Sequence, residues 1–172
     1  MTARSRPTGP SGPAYAELAV ATNFSFLRGA SHPEEMAVAA ATLGLAGFAV
    51  ADRNSLAGVV RAHMAAQETG GPFRVGCRLV FGEGMIDGEQ AGGAPAGGVD
   101  RPGRGGRGSA GPAAFDRSAG TPDILAWPTD RAAYGRLCRL LTLGNRRAPK
   151  GQCHLTLDDL LAWGEGLILA PV

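Results

Sequence analysis

Two segments of the chain share one pattern, in which a short apolar strand runs into a polar turn and then into a helix. The first segment spans residues 15–30, and the second spans residues 47–58. In α/β folds this pattern places polar side chains at the carboxyl ends of neighbouring strands, where binding and catalytic sites are built. The pattern therefore predicts an α/β fold with a site at the strand ends.

Hydrophobic patterning predicts strands that alternate with helices. The expected strands are residues 15–21, 47–51, 73–81 with a break at Gly76, 123–127 and 166–170. The alternation predicts a largely parallel sheet or an open barrel. Because the chain ends on a strand with nothing to cover it, we expect an incomplete domain.

Capping residues and glycines mark the expected helix ends. Ser31, Pro33 and Glu34 predict a helix start with a capping box, and Gly44 supplies a left-handed end. The other expected helices are residues 55–68, residues 130–143 with Thr129 as cap and Gly144 as end, and Thr156 through Trp163.

Two segments have the composition of disordered polypeptide. Residues 1–14 predict a flexible tail, since they lack the apolar stretch of a secretion signal. Residues 82–120 are mostly Gly, Ala, Pro, Arg and Asp, and they hold too few large apolar side chains to offset the entropy of ordering. We therefore expect one partial domain over residues 15–172, interrupted by a disordered, low-complexity insertion at 82–120.

Net charge, apolar runs and cysteine spacing give no sign of a membrane protein or of a disulfide-stabilised secreted protein. The formal net charge of +2 by itself gives no reason to expect a nucleic-acid or membrane partner, and no apolar run approaches the ~20 residues of a membrane-spanning helix. The three cysteines form no C-x-x-C pair, which is typical of reduced thiols in a cytosolic protein. We therefore expect a cytoplasmic protein with no membrane partner.

The residues at the strand ends suit a metal site poorly. Ala19 and Ala21 lie two apart, so both point to one face of the first strand, but alanine has no lone pair for a metal. Asp52 ends the second strand beside Arg53, and Arg78 lies in the third. Because arginine charges repel a cation, a single carboxylate among them does not hold a catalytic zinc or a two-metal cluster.

These positions resemble the first three motifs of the PHP (polymerase and histidinol phosphatase) domain. In active members the first motif reads H-x-H, the second contains Asp-His, and the third supplies a Glu. The corresponding residues here are Ala19, Ala21, Asp52, Arg53 and Arg78. The resemblance implies an incomplete PHP-type distorted (β/α)7 barrel in which only Asp52 of the ligand set remains. It therefore implies no bound metal and no catalytic residue in this chain.

Longer stretches are similar to the α subunit of bacterial C-family replicative DNA polymerases, in its error-prone, damage-tolerant branch. The similar stretches are residues 23–35, 52–63, 134–144 and 148–151, within an overall likeness over 15–81 and 122–170. The resemblance implies an N-terminal fragment of a nucleotidyltransferase that acts in DNA replication, DNA repair and translesion synthesis after DNA damage. The palm carboxylates and Mg²⁺ of such an enzyme lie outside these residues.

The resemblance also implies partners and leaves alternatives open. The expected partners are the rest of the polymerase chain and DNA, with accessory mutagenesis proteins and the sliding clamp as further candidates. The chain itself would be a metal-free, non-catalytic scaffold. One alternative is a stand-alone, metal-dependent PHP phosphoesterase, against which the missing ligands argue. The other is a non-catalytic interaction module for polymerase-associated proteins.

The role of Asp52 has two interpretations. Arg53 or Arg78 could replace the metal as the partner of this carboxylate. Alternatively, Asp52 could cap the helix that follows it.

The basic segment at residues 145–151 also has two interpretations. Arg146, Arg147 and Lys150 are candidates for contact with the phosphate backbone of DNA. The alternative is an ordinary solvated loop.

Overall fold

The computed structural model describes residues 14–82 and 121–172. Apart from Ala14 and Gly82, the expected tail and insertion lie outside the described residues. The elements in chain order are β1 (Ala16–Val20), α1 (Pro33–Thr42), β2 (Gly47–Val50), α2 (Val59–Thr69), β3 (Phe73–Val75), β4 (Cys77–Leu79), β5 (Ile124–Pro128), α3 (Arg131–Arg147), α4 (Leu157–Trp163) and β6 (Leu167–Pro171). The predicted α/β class is confirmed, and every expected strand is present.

The first sheet is parallel, in the order β1-β2-β3. Parallel neighbours need a crossover connection, and α1 and α2 supply the two crossovers. Both helices pack on the sheet around the tilted aromatic pair Phe48 and Phe73, whose ring centroids lie 5.2 Å apart. The helix residues that fill this core are small, namely Ala37, Ala40, Ala62, Ala65 and Ala66. Small side chains allow the helices to lie close to each other and to the sheet.

The second sheet, in the order β4-β5-β6, is antiparallel, and in this it differs from the largely parallel arrangement expected. In the first sheet, one helix between two strands carries the chain back to the end of the sheet where the preceding strand began, so the next strand runs parallel to it. Between β5 and β6 the chain forms two helices, α3 and α4, and β6 begins at the end of the sheet where β5 finished, so these two strands run antiparallel. The core under this sheet is formed by Cys77, Leu79, Ala126, Leu137, Leu140, Leu141, Leu155 and Leu160.

Gly76 joins the two sheets, at the position where a break in the third strand was predicted. A Cβ atom here would lie 2.9 Å from the Trp127 ring and 2.9 Å from the carbonyl oxygen of Val50. The Trp127 indole N–H in turn donates to the carbonyl oxygen of Leu18, at 2.9 Å. Strand β5 is therefore tied back to β1, which holds the two sheets together around the predicted site.

The helix starts differ from prediction by small shifts with local causes. The cap of α1 is His32, whose N–H donates to Glu35, so the box lies one residue later than Ser31 and Glu34. Helix α2 begins at Val59, four residues later than expected. The cap of α4 is Thr156, as predicted.

Helix α3 differs at both ends. Asp130 accepts from the N–H of Ala133 and caps the helix, whereas the hydroxyl of Thr129 donates to the carbonyl oxygen of Gly166. Gly144 lies inside the helix, where a Cβ would come within 2.6 Å of the Cys153 sulfur. This glycine therefore serves close packing and does not end the helix. None of the helices in residues 14–82 and 121–172 is long and apolar enough to cross a membrane.

Candidate functional site

A cleft of about 810 Å³ opens at the carboxyl ends of β1 and β2, where the sequence pattern placed a site. Its walls come from the turns after these two strands, from one face of α3 and from the loop that follows α3. The residues that line it include Phe24, Ser25, Phe26, Leu27, Arg53, Asn54, Ser55, Cys138, Asn145, Lys150, Gln152 and Cys153. Polar and cationic groups therefore share the cleft with exposed apolar side chains.

Asp52 is completely buried at the base of the turn after β2. One of its carboxylate oxygens accepts from the N–H of Thr22 at 2.8 Å and from the hydroxyl of Ser25 at 2.6 Å. The other oxygen accepts from the hydroxyl of Thr22 at 2.7 Å. Three donors from the turn after β1 thus satisfy the charge, as a buried carboxylate requires.

Among the described residues, the hydrogen bonds of Asp52 match neither sequence-based interpretation. Among the described residues, the side-chain donors to Asp52 are Thr22 and Ser25, and the arginines are not among them. The guanidinium of Arg78 instead lies 3.5 Å from the carboxylate of Asp123. Helix α2 begins beyond Gly58, so Asp52 is not its cap residue. The prediction failed because β1 brings a pair of hydroxyl donors from residues far away in the sequence.

The residues at the expected ligand positions do not fit a metal ion. Ala19 lies in β1 and Ala21 just beyond its end, and neither side chain offers a lone pair. Both oxygens of Asp52 are already engaged, and Arg53 and Arg78 add positive charge. In the part of the chain that the structure describes, no three His, Cys, Asp or Glu side chains gather in a way that could hold a metal.

The three basic candidates for DNA contact occupy different environments. Arg147 makes a two-pronged ion pair with the buried carboxylate of Asp159, one arm of which measures 2.8 Å. Arg146 lies exposed in the last turn of α3, and Lys150 lies exposed on the wall of the cleft. Of these three, Arg146 and Lys150 are the exposed cations that form no ion pair with another residue of 14–82 or 121–172.

The Arg147–Asp159 pair links the end of α3 to the start of α4. Asp159 also accepts from the N–H of Thr156 at 2.9 Å and from its hydroxyl at 2.7 Å. Burial alone would raise the pKa of Asp159, but the hydrogen bonds from Arg147 and Thr156 outweigh burial and hold this pKa below its ordinary value. The pair therefore stabilises the fold while Asp159 is ionised.

Replacing Asp159 with asparagine should lower the free energy of unfolding by about 1–2 kcal/mol at neutral pH, a range reduced because Arg147 is half exposed. Since the pKa of Asp159 is lowered from 3.8, its contribution is present above that pH and is lost as the pH falls through the folded-state pKa. Urea unfolding at about pH 7 and about pH 3 should therefore show a difference from wild type that shrinks in acid. Asp158→Asn, on an exposed residue of the same turn, is the control; an Asp159→Asn difference that stays constant with pH would contradict the ionic role.

Cys153, which lines the cleft, and Cys77, which lies beneath Asp52, are not reactive nucleophiles. Burial raises the pKa of Cys77 to about 12 and that of Cys153 to about 11. Both remain thiols at neutral pH, and the thiolate is the form that attacks or binds metals. The Cys77 thiol instead donates to the carbonyl oxygen of Asp52, at 3.4 Å.

Sequence reasoning missed Thr22, Ser25 and Gly29. The first two hold Asp52, and Gly29 packs against the backbone of Thr22 and Ala21 where no Cβ fits. One signal was available: a carboxylate at the end of a buried strand needs donors, and the turn after the first strand carries hydroxyls two and five residues beyond Val20.

The sequence of this chain is similar to a known domain family and to several curated proteins. The PHP domain family profile matches residues 17–170. "Error-prone DNA polymerase 1" of Rhizobium meliloti (strain 1021) is 45% identical over 155 residues, which are 90% of this chain and 11% of that protein. "Error-prone DNA polymerase" of Caulobacter vibrioides is 44% identical over 162 residues, which are 92% of this chain and 12% of that protein.

The chain spans about a tenth of the length of these curated relatives. Among solved structures, an amidohydrolase from Chromobacterium violaceum is 21% identical, with a TM-score of 0.47 over 77% of this chain and 34% of that one.

Proposed function

Because this chain belongs to the PHP domain family, we propose that it is the N-terminal PHP portion of an error-prone DNA polymerase. The observation that supports this most strongly is the identity of 41–45% to error-prone polymerases over about nine-tenths of the chain. In the complete enzyme, palm carboxylates and Mg²⁺ would add deoxynucleoside monophosphates to a primer 3′ end. That enzyme would act in the cytoplasm, in replication, repair and translesion synthesis past DNA damage.

Reading the gene beyond codon 172 tests this proposal directly. An in-frame continuation that encodes a palm domain with its carboxylates is the expected result. A stop codon at that point, with no palm segment elsewhere in the same gene, would contradict it. The accessory mutagenesis proteins and the sliding clamp remain candidate partners, which pull-down with the complete polymerase would identify.

Within that enzyme, the PHP portion would be a metal-free, non-catalytic scaffold. The support is the state of the ligand positions: alanines at 19 and 21, arginines at 53 and 78, and a carboxylate at Asp52 whose oxygens are both engaged. The phosphoesterase alternative needs a metal-activated water, and these residues do not favour it. Stoichiometric zinc or manganese in the purified chain would contradict the scaffold proposal.

The scaffold would also contact the phosphate backbone of DNA through Arg146 and Lys150. Both are exposed at the end of α3 and the loop after it, whereas Arg147 is tied to Asp159. Neutralising a cation that contacts a phosphate reduces the number of counterions released on binding. The dependence of DNA affinity on salt is therefore the most direct readout of such a contact.

Arg146→Gln combined with Lys150→Gln, in the complete polymerase, should flatten the plot of log affinity against log salt by roughly 0.9 for each lost phosphate contact. Fluorescence anisotropy with duplex DNA at several salt concentrations measures this slope. Arg131→Gln, on an exposed arginine at the opposite end of α3, is the matched control. A slope equal to that of the control would exclude DNA contact at this end of the helix.

A further inference from the structure

The buried carboxylate of Asp52 binds side chains of the turn after β1, which gives it a structural role although it holds no metal. We infer that Thr22 and Ser25 are the partners that replace a metal ion at Asp52, and that the three together position the turn from Thr22 to Gly29 on the rim of the cleft. The inference deepens the metal-free part of the proposed function and does not depend on the polymerase part.

The hydrogen bonds around Asp52 form a closed network. Each hydroxyl that donates to Asp52 also accepts: Thr22 from the N–H of Phe24 at 3.2 Å, and Ser25 from the N–H of Arg53 at 3.1 Å. Thr22 is completely buried and Ser25 nearly so. A cation could reach the carboxylate only by breaking these bonds and leaving buried donors without partners, which is unfavourable.

The same residues define the backbone of the turn. The N–H of Ser25 donates to the carbonyl oxygen of Thr22 at 2.9 Å, and the N–H of Gly29 donates to the carbonyl oxygen of Ser25 at 3.0 Å. At the tip of the turn, Phe26 is 76% exposed and Leu27 is 72% exposed, and Leu27 has a φ of +61°. Leucine rarely adopts this left-handed conformation, which persists only where the surrounding structure enforces it.

The Asp52 network supplies that enforcement. It anchors the turn from below at Thr22 and Ser25, and the close approach of Gly29 to the strand end closes the turn on its other side. Loss of either hydroxyl should therefore loosen the tip before it loosens the remainder of the fold. Asp52 is thus a positioning residue for the Phe26–Leu27 tip.

Cleavage by chymotrypsin under native conditions tests this, because the enzyme cuts after exposed Phe and Leu only where the backbone can open. The variants are Thr22→Val and Ser25→Ala, with Thr22→Ser as the version that keeps the hydroxyl. The matched controls are Thr42→Val and Ser55→Ala, whose hydroxyls bond to the carbonyl oxygen of Val38 and the N–H of Ala57.

We expect Thr22→Val and Ser25→Ala to speed cleavage at Phe26 and Leu27 by about tenfold, the factor for one lost buried hydrogen bond. Cleavage at Leu161, an equally exposed residue in α4, should change little and serves as the internal reference. Thr22→Ser should behave like wild type. Should Thr22→Val fail to fold, Ser25→Ala carries the test.

Three results would overturn the inference. Tip cleavage that matches the controls, or that rises only in step with cleavage at Leu161, would show that the network does not position the turn. If the same preparations contain no stoichiometric zinc or manganese, the metal-free proposal survives this failure. Stoichiometric metal in the wild-type chain would instead overturn both.

Discussion

Replacing Asp52 with alanine is expected to lower the free energy of unfolding by about 3–5 kcal/mol. The substitution leaves a backbone N–H and two hydroxyls at Thr22 and Ser25 without an acceptor in a site with no exposure to solvent. Since folded domains are stable by only about 5–15 kcal/mol, this loss would be a large share of the total.

Urea unfolding followed by circular dichroism measures the loss. Asp123→Ala is the matched control, because Asp123 is a partly exposed carboxylate whose 3.5 Å contact with Arg78 contributes little. A loss at Asp52 no larger than that at Asp123 would show that the hydroxyls find other acceptors. The hydrogen-bond network would then have no structural importance.

Replacing Gly29 with alanine is expected to cost about 3 kcal/mol, the upper end of the usual range for overpacking. An added Cβ would lie 2.7 Å from the carbonyl oxygen of Ala21 and closer still to that of Thr22. Both obstacles are backbone atoms, so no side chain can rotate away, and the turn that carries Phe26 and Leu27 would have to move.

Gly135→Ala is a control with the opposite expected sign. Gly135 lies exposed inside α3, and apart from the backbone of that helix no atom of the described residues is within 4 Å of the position where its Cβ would be built. Alanine there should stabilise the helix by about 0.5–1 kcal/mol. Thermal unfolding of both variants measures the contrast. Equal shifts at Gly29 and Gly135 would contradict the steric argument.

The site was partly predictable from the chain. The sequence alone predicted that Asp52 lies at the end of a strand and that alanines occupy positions 19 and 21. It also showed the likeness to the PHP motifs. The partners of Asp52 were not, because arginines 53 and 78 are equally suitable on chemical grounds. Which donor meets the carboxylate depends on how residues about 30 positions apart approach each other, as between Thr22 and Asp52.

Segments with strong local signals were predicted well. The strands, the break at Gly76 and the Thr156 cap follow from side-chain periodicity and from capping by near neighbours, which act over a few residues. Gly144 and Thr129 were misinterpreted for the converse reason. Their local signals indicate a helix end and a helix cap, but packing against Cys153 and a bond to Gly166 take precedence.

The order of strands and helices, their approximate ends and the family pattern at the strand ends can thus be read from the chain, because short-range periodicity and capping encode them. The antiparallel second sheet, the pairing of Arg147 with Asp159 and the hydroxyl partners of Asp52 appear only once the chain is folded. These features depend on which distant groups come within hydrogen-bonding distance, and packing of the complete core decides that.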